Sequence, residues 1–167
     1  MPKLDWLNFE HIRALSPDEF KIQALGQLQA VGLDTAGRDA DYTAAALALC
    51  TDKIKNLNDV AGYIGFFFRD EVVLDAEAAA QALTPENKPH LATLREAYAG
   101  LATFDADSLM ESLKATAAAR EVKNKVLVMP ARVACTGSKV GPSLYHLMEV
   151  LGQAEVLKRF DAALAGM

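Results

Sequence analysis

The stretch LSPDEFKIQALGQLQAVG, residues 15–32, is written as a helix from end to end. Ser16 can accept from the first free amides, Pro17 suits the first helical position, and Glu19 completes a capping box three residues after the serine. Phe20, Leu25, Leu28 and Val31 supply an apolar face at helical spacing, and Gly32 supplies the stop. Alanine and leucine recur along the whole chain while runs of β-branched residues are scarce, so the same grammar is expected elsewhere. The predicted fold is all-α.

Leu4, Leu7, Ile12 and Leu15 suggest a short helix carrying Trp6 ahead of this one. DADYTAAALALCTDKI reads as a third helix, and NLNDVAGYIGFFFRDEV as a fourth with Asn56 or Asn58 as its cap. Phe66, Phe67 and Phe68 are too many aromatics for one helical face and are expected to reach neighbouring elements as core. A seam follows in VVLDAEAAAQALTPENKPHL, where acids, Thr84, Pro85 and Pro89 interrupt the pattern around a short helix near 75–83. Further helices are expected through LATLREAYAGLA, from Asp105 or Asp107 to Val122, and through PSLYHLMEVLG and AEVLKRFDAALAG. KVLVMPARVACTG is apolar enough for a buried strand or helix; it is taken as helix, with Pro130 demanding a kink or a fresh start. Two stacked helical subdomains, 1–74 and 75–167, are the expected organisation.

With 51% apolar residues in 167, the chain can bury a real core. Its net charge of −5 has the wrong sign for a general nucleic-acid coat. The charge is uneven, however. Arg120, Lys123, Lys125, Arg132, Lys139, Lys158 and Arg159 face only Glu121, Glu149, Glu155 and Asp161 in the last 48 residues, so an acidic body carries a basic end. That suits a local anionic partner or a solvated face. Two cysteines, Cys50 and Cys135, without disulfide or zinc spacing point to a reduced, cytoplasmic setting. No apolar run reaches membrane-spanning length, and the N-terminus has no signal-peptide core. A soluble monomer is expected.

Catalytic machinery is not visible. His11, His90 and His146 are scattered without metal-ligand spacing, and neither a GxxxxGK[ST] loop nor a GxGxxG turn occurs. Carboxylate pairs such as Asp18/Glu19 and Asp105/Asp107 sit where a helix dipole favours them. Cys135 lacks an evident histidine base and reads as a packing residue. No catalytic residue, metal site or cofactor is expected in this chain.

One stretch departs from the helical grammar: RVACTGSKVGPSLYHLMEVLG, residues 132–152. Pro142 fits the first turn of a helix whose leading amides lack intrahelical acceptors. Gly137 and Gly141 permit positive φ and close approach of the backbone to a ligand. Arg132 and Lys139 bring cations, and Tyr145 offers a ring for stacking. Donors at a helix start, an arginine fork and an aromatic platform would suit a splayed single-stranded RNA loop; a merely structural turn is the alternative.

RVACTGSKVGPSLYHLMEVLGQAEVLKRFDAAL resembles the C-terminal signature of bacterial glutamyl-tRNA synthetases, an Arg-Val-Ala-x-Thr-Gly-Ser turn before a Gly-Pro-x-Leu-aromatic helix. PKLDWLNFEHIRALSPDEF resembles the segment after the catalytic half of that family, and NLNDVAGYIGFFF the helix between the two. The three matches occur in the family's order; 75–125 matches only in helical rhythm. The resemblance implies the anticodon-binding part of a glutamate–tRNA ligase, excised from its catalytic half, with tRNA as partner. A free-standing tRNA-binding paralogue and a helical protein-interaction domain are the alternatives. The full enzyme would be a class I ligase using ATP and Mg²⁺, bound outside this chain.

The resemblance also assigns roles. Arg132 matches the arginine that contacts the first anticodon base. Gly141, Pro142, Leu144 and Tyr145 match the loop and helix start around the first two bases, and Thr136, Ser138 and Lys139 complete the turn as tRNA-binding candidates. Gly141 replaces a threonine found in some members, removing a hydroxyl. Lys53, in TDKIKNL, falls where many members carry an arginine that reads the third base. A lysine is a point charge without the guanidinium fork. Choice between glutamate-accepting and glutamine-accepting tRNA is therefore open.

Overall fold

The computed structural model describes residue 8 and residues 10–167, and the described residues contain helices and turns without any strand. The chain is all-α. Two compact units divide it, one ending at Asp70 and the other spanning Glu71–Met167.

In the first unit, residues 10–14 are helical and lead into α1 (Pro17–Ala30). Of the helix expected through Leu4, Leu7, Ile12 and Leu15, residues 10–14 are helical with Ile12 buried, while Leu4, Trp6 and Leu7 lie outside the described residues. The capping box forms as written: the Glu19 amide donates to Ser16 Oγ at 3.3 Å and the Ser16 amide donates to Glu19 Oε2 at 2.9 Å. Those bonds hold the Glu19 carboxyl below the usual range. The buried face differs from the expected one. Phe20, Ala24 and Leu28 face inward, spaced four residues apart along a single stripe. Leu25 flanks that stripe half-buried, and Val31 at the C-cap swings out to 57% exposure before Gly32 ends the helix at φ +81°.

After α2 (Ala40–Ala48), capped by Asp39, the expected fourth helix breaks into three pieces. Leu57–Asp59 is a 3₁₀ turn, α3 spans only Val60–Ile64, and Gly65–Phe68 is again 3₁₀. Asn56, not Asn58, is the cap, and its side chain accepts from the Asn58 amide at 3.0 Å. Phe66, Phe67 and Phe68 are 7%, 0% and 4% exposed, so all three are core. Three successive 3₁₀ side chains point about 120° apart, so the segment is enclosed on every side. Tyr42 of α2 lies edge-on to Phe67 and Phe68 and donates its hydroxyl to the Phe67 carbonyl at 2.7 Å.

The second unit comprises α4 (Ala76–Ala82), α5 (Lys88–Ala99), α6 (Ala106–Ala119), α7 (Asn124–Thr136), α8 (Leu144–Leu151) and α9 (Gln153–Gly166). Asp105 caps α6 by accepting from the Ser108 amide at 2.8 Å. α9 packs on α5 and α7, and α6 packs on α5, α7 and α8. Tyr98 and Phe160 stack at their junction with ring centroids 6.1 Å apart, both at 0% exposure. Each such aromatic contributes roughly 1.5–3 kcal/mol by leaving water. α7 runs through Pro130 without the fresh start that its ring suggested. Six of its last seven residues are buried, so tertiary packing holds the turn where a backbone donor is missing.

Candidate nucleic-acid interface

The C-terminal end of α7 and the turn that follows carry the sequence-derived site of the second unit. α7 stops because Gly137 turns left-handed at φ +78° and its amide donates back to the Val133 carbonyl at 2.8 Å. A Cβ on Gly137 would lie 2.0 Å from the Val73 carbonyl oxygen. The backbone that passes close to Gly137 is therefore the chain's own segment before α4, not a ligand. The Asp75 amide then donates to the Gly137 carbonyl at 2.9 Å, fastening the two segments together.

Thr136 and Ser138 spend their polarity inside the turn. The buried Thr136 hydroxyl has one proton, placed between the carbonyls of Arg132 at 2.8 Å and Ser138 at 3.0 Å, while its oxygen accepts the Ser138 amide at 3.1 Å. Ser138 Oγ accepts from the Val140 amide at 3.1 Å. Lys139 reaches α4, where its ammonium donates to Glu77 Oε1 and Gln81 Oε1, each at 2.9 Å.

Arg132 is half-buried and folds over the end of the turn. Its Nη1 donates to the Pro142 carbonyl at 2.7 Å and would sit 3.6 Å from a Cβ at Gly141. Arg132, Gly141 and Pro142 thus come together as one cluster. Two details differ from the sequence reading. Gly141 has no positive φ; its small size instead leaves room beside the guanidinium. Pro142 lies before the N-cap Ser143 rather than in the first helical turn, because its carbonyl is needed as the arginine's acceptor.

The N-cap Ser143 gives α8 no side-chain cap; its Oγ pairs instead with His146 Nδ1 at 3.0 Å. The leading amides of α8 therefore lack both an intrahelical acceptor and a side-chain cap. Leu144, Leu147, Met148 and Leu151 face the core, with Leu144 only 3% exposed. Of the helix start, Leu144 can offer its backbone, while half-buried Tyr145 can offer a ring edge. Burial raises the Tyr145 phenol above its usual pKa, so it stays a neutral donor.

Cys135 is fully buried, and burial pushes its thiol up to about 12. That removes thiolate chemistry from the site. The same carbonyl region is gripped from below: Arg159, 4% exposed, donates Nη1 to the Cys135 carbonyl at 2.6 Å and Nε to Glu155 at 2.8 Å. Among the described residues no group of His, Cys, Asp and Glu could hold a metal ion, and no helix is long and apolar enough to cross a membrane. Lys53 belongs to the first unit, exposed in the turn after α2, with its amide donating to the Cys50 carbonyl at 2.9 Å.

A family model described as an anticodon binding domain matches residues 14–164. The chain belongs to the anticodon-binding domain family. This anticodon-binding domain is 37% identical over 163 residues to glutamate–tRNA ligase 2 of Koribacter versatilis, a match covering 97% of this chain and 34% of that protein. It is 36% identical over 165 residues to the glutamate–tRNA ligase of Nitratidesulfovibrio vulgaris, covering 98% of this chain and 35% of that protein. The chain thus spans about a third of the length of the ligases it matches, namely their C-terminal part, and their catalytic half has no counterpart in it. A solved glutamate tRNA ligase from Elizabethkingia meningosepticum superposes with a TM-score of 0.81 at 23% identity, over 96% of this chain and 31% of that one, so the helical fold is shared.

Several residues that shape this domain's turn escape sequence reading. Glu77 and Gln81 lie 62 and 58 positions from Lys139, and nothing in their spacing announces the contact. Arg159 reads as one more helix cation. Val140 sits inside the quoted turn, yet a valine carries no chemical signal; its 75% exposure becomes visible only once the flanking polar groups are seen turned inward.

Proposed function

We propose that this domain reads the anticodon of a tRNA, with the Arg132–Gly141–Pro142 cluster and the start of α8 receiving the first two bases. One observation carries the reading: the Arg132 guanidinium is fixed on the Pro142 carbonyl beside Gly141, two residues before a helix start that has no side-chain cap. A guanidinium carries five donors in a rigid planar fork, the geometry that matches a base edge. Half-buried Tyr145 adds an aromatic ring for stacking. Thr136 and Ser138 serve by shaping the turn, and Leu144 by anchoring α8 in the core. Lys53 is the candidate reader of the third base from the first unit.

The ligase relatives support a glutamate-accepting tRNA, and the choice against glutamine-accepting tRNA would fall to the third base. We further infer that the domain works in the cytoplasm as part of a monomeric glutamate–tRNA ligase. Charging with ATP and Mg²⁺ belongs to the catalytic part of that enzyme. Binding of glutamate tRNA, compared with tRNAs changed only at the anticodon, tests the reading at fixed low salt. Preference for the intact anticodon is the expected result. Equal binding of all of them would leave a general tRNA-binding module, and no binding would leave a protein-interaction domain.

A further inference from the structure

We infer that Lys139 is a positioning residue: held by Glu77 and Gln81 of α4, it keeps the 138–143 turn in the shape that receives the anticodon. This rests on the anticodon-reading role proposed above. A lysine meant for a phosphate would be expected to stand clear of carboxylates. Here the opposite is built. The Lys139 ammonium donates to Glu77 Oε1 and Gln81 Oε1, and Gln81 Nε2 donates to the same Glu77 oxygen at 3.0 Å, so the three side chains close on one another. The Lys139 hydrogen bond holds the Glu77 carboxyl below the usual range.

An acidic group beside an RNA site costs affinity by repulsion, and Glu77 is 71% exposed, so burial does not require it there. Its place follows if the pair orders the turn. Gly137 is already fastened to the segment before α4 through the Asp75 amide and the tight passage of Val73. Lys139 is a second anchor to the same helix two residues on, and Arg132 closes the far end on the Pro142 carbonyl. Between these anchors Val140 is presented outward. An exposed ion pair adds little to global stability. Its effect belongs to local order, where fixing a turn in advance spares the ordering cost on binding.

The test uses this chain with Glu77→Ala/Gln81→Ala, Lys139→Glu, Glu77→Lys and the exchanged pair Lys139→Glu/Glu77→Lys. Two quantities are read: amide hydrogen exchange of residues 138–141 without RNA, and affinity for glutamate tRNA with its anticodon intact or replaced. Releasing the lysine should speed exchange in the turn about tenfold and weaken binding to the intact anticodon about fivefold, the scale of one or two ordered side chains. That loss should come even though a negative charge has been removed. The exchanged pair should recover both quantities while Lys139→Glu alone does not. Unchanged exchange, equal or tighter binding by Glu77→Ala/Gln81→Ala, or failure of the exchanged pair to recover would overturn the inference. A wild-type chain indifferent to the anticodon would sink the functional reading instead, with the exchange rates still deciding the role of Lys139.

Discussion

Arg132 owes its position to residues nine and ten positions further along: Gly141, which leaves it space, and Pro142, whose carbonyl accepts from it. That space has a measurable consequence. A Cβ at Gly141 would meet Arg132 Nη1 at 3.6 Å, an ordinary contact, and Gly141 has no positive φ to forbid a side chain. Gly141→Thr should therefore fold normally and supply a hydroxyl beside the guanidinium. Affinity for glutamate tRNA should tighten by about 1 kcal/mol, one net hydrogen bond, as read by titration beside a thermal melt. Lys53 gives the complementary case. Arginine grips a base edge with two parallel donors where lysine offers one rotating ammonium. Lys53→Arg in a full-length ligase should raise discrimination at the third anticodon base by about 1 kcal/mol, measured as charging of tRNAs that differ only there. Wild-type discrimination already as sharp as that of the variant would mean that Lys53 either reads the base adequately or is not its reader.

At the level of elements, the end of α7 depends on a residue without a side chain. Gly137→Ala would combine a left-handed backbone with a Cβ driven into the Val73 carbonyl, so the second unit should lose at least about 3 kcal/mol in denaturant melts. A loss within 0.5 kcal/mol would mean that the segment before α4 moves aside freely. Helix starts were legible in the sequence because their signals are local. Ser16 with Glu19, and Asp105 as one of two candidates, each needed only the next three residues to act as caps. The break in the Phe66–Phe68 segment was not legible, since enclosure by Tyr42 of α2 decides it. The helix expected across Pro130 forms without a fresh start, because burial of its neighbours keeps α7 continuous where local propensity argues for a break. At the site, chemistry-bearing residues could be named from the turn's wording. Which of them face inward could not, because Thr136 answers to Arg132 and Ser138 within the turn, and Lys139 to α4.

For the whole molecule, a net charge of −5 means that recognition depends on a few placed groups rather than on a general attraction for phosphate. The chain has no phosphate loop, no metal cluster among its described residues, and buried thiols. Because the catalytic half of the ligases has no counterpart in it, this chain by itself should give no ATP–pyrophosphate exchange above background with glutamate and tRNA, in a tracer assay that a full-length ligase passes. Whether Arg132 meets the first anticodon base is decided by a double-mutant cycle. Affinities are measured for wild type and Arg132→Ala, each with glutamate tRNA and with a tRNA altered only at the first anticodon base. Arg132→Ala should cost about 1–3 kcal/mol on the intact tRNA and almost nothing on the altered one, so the two changes share one interaction. Equal losses on both tRNAs, or a melt showing that the variant has lost its fold, would contradict the account.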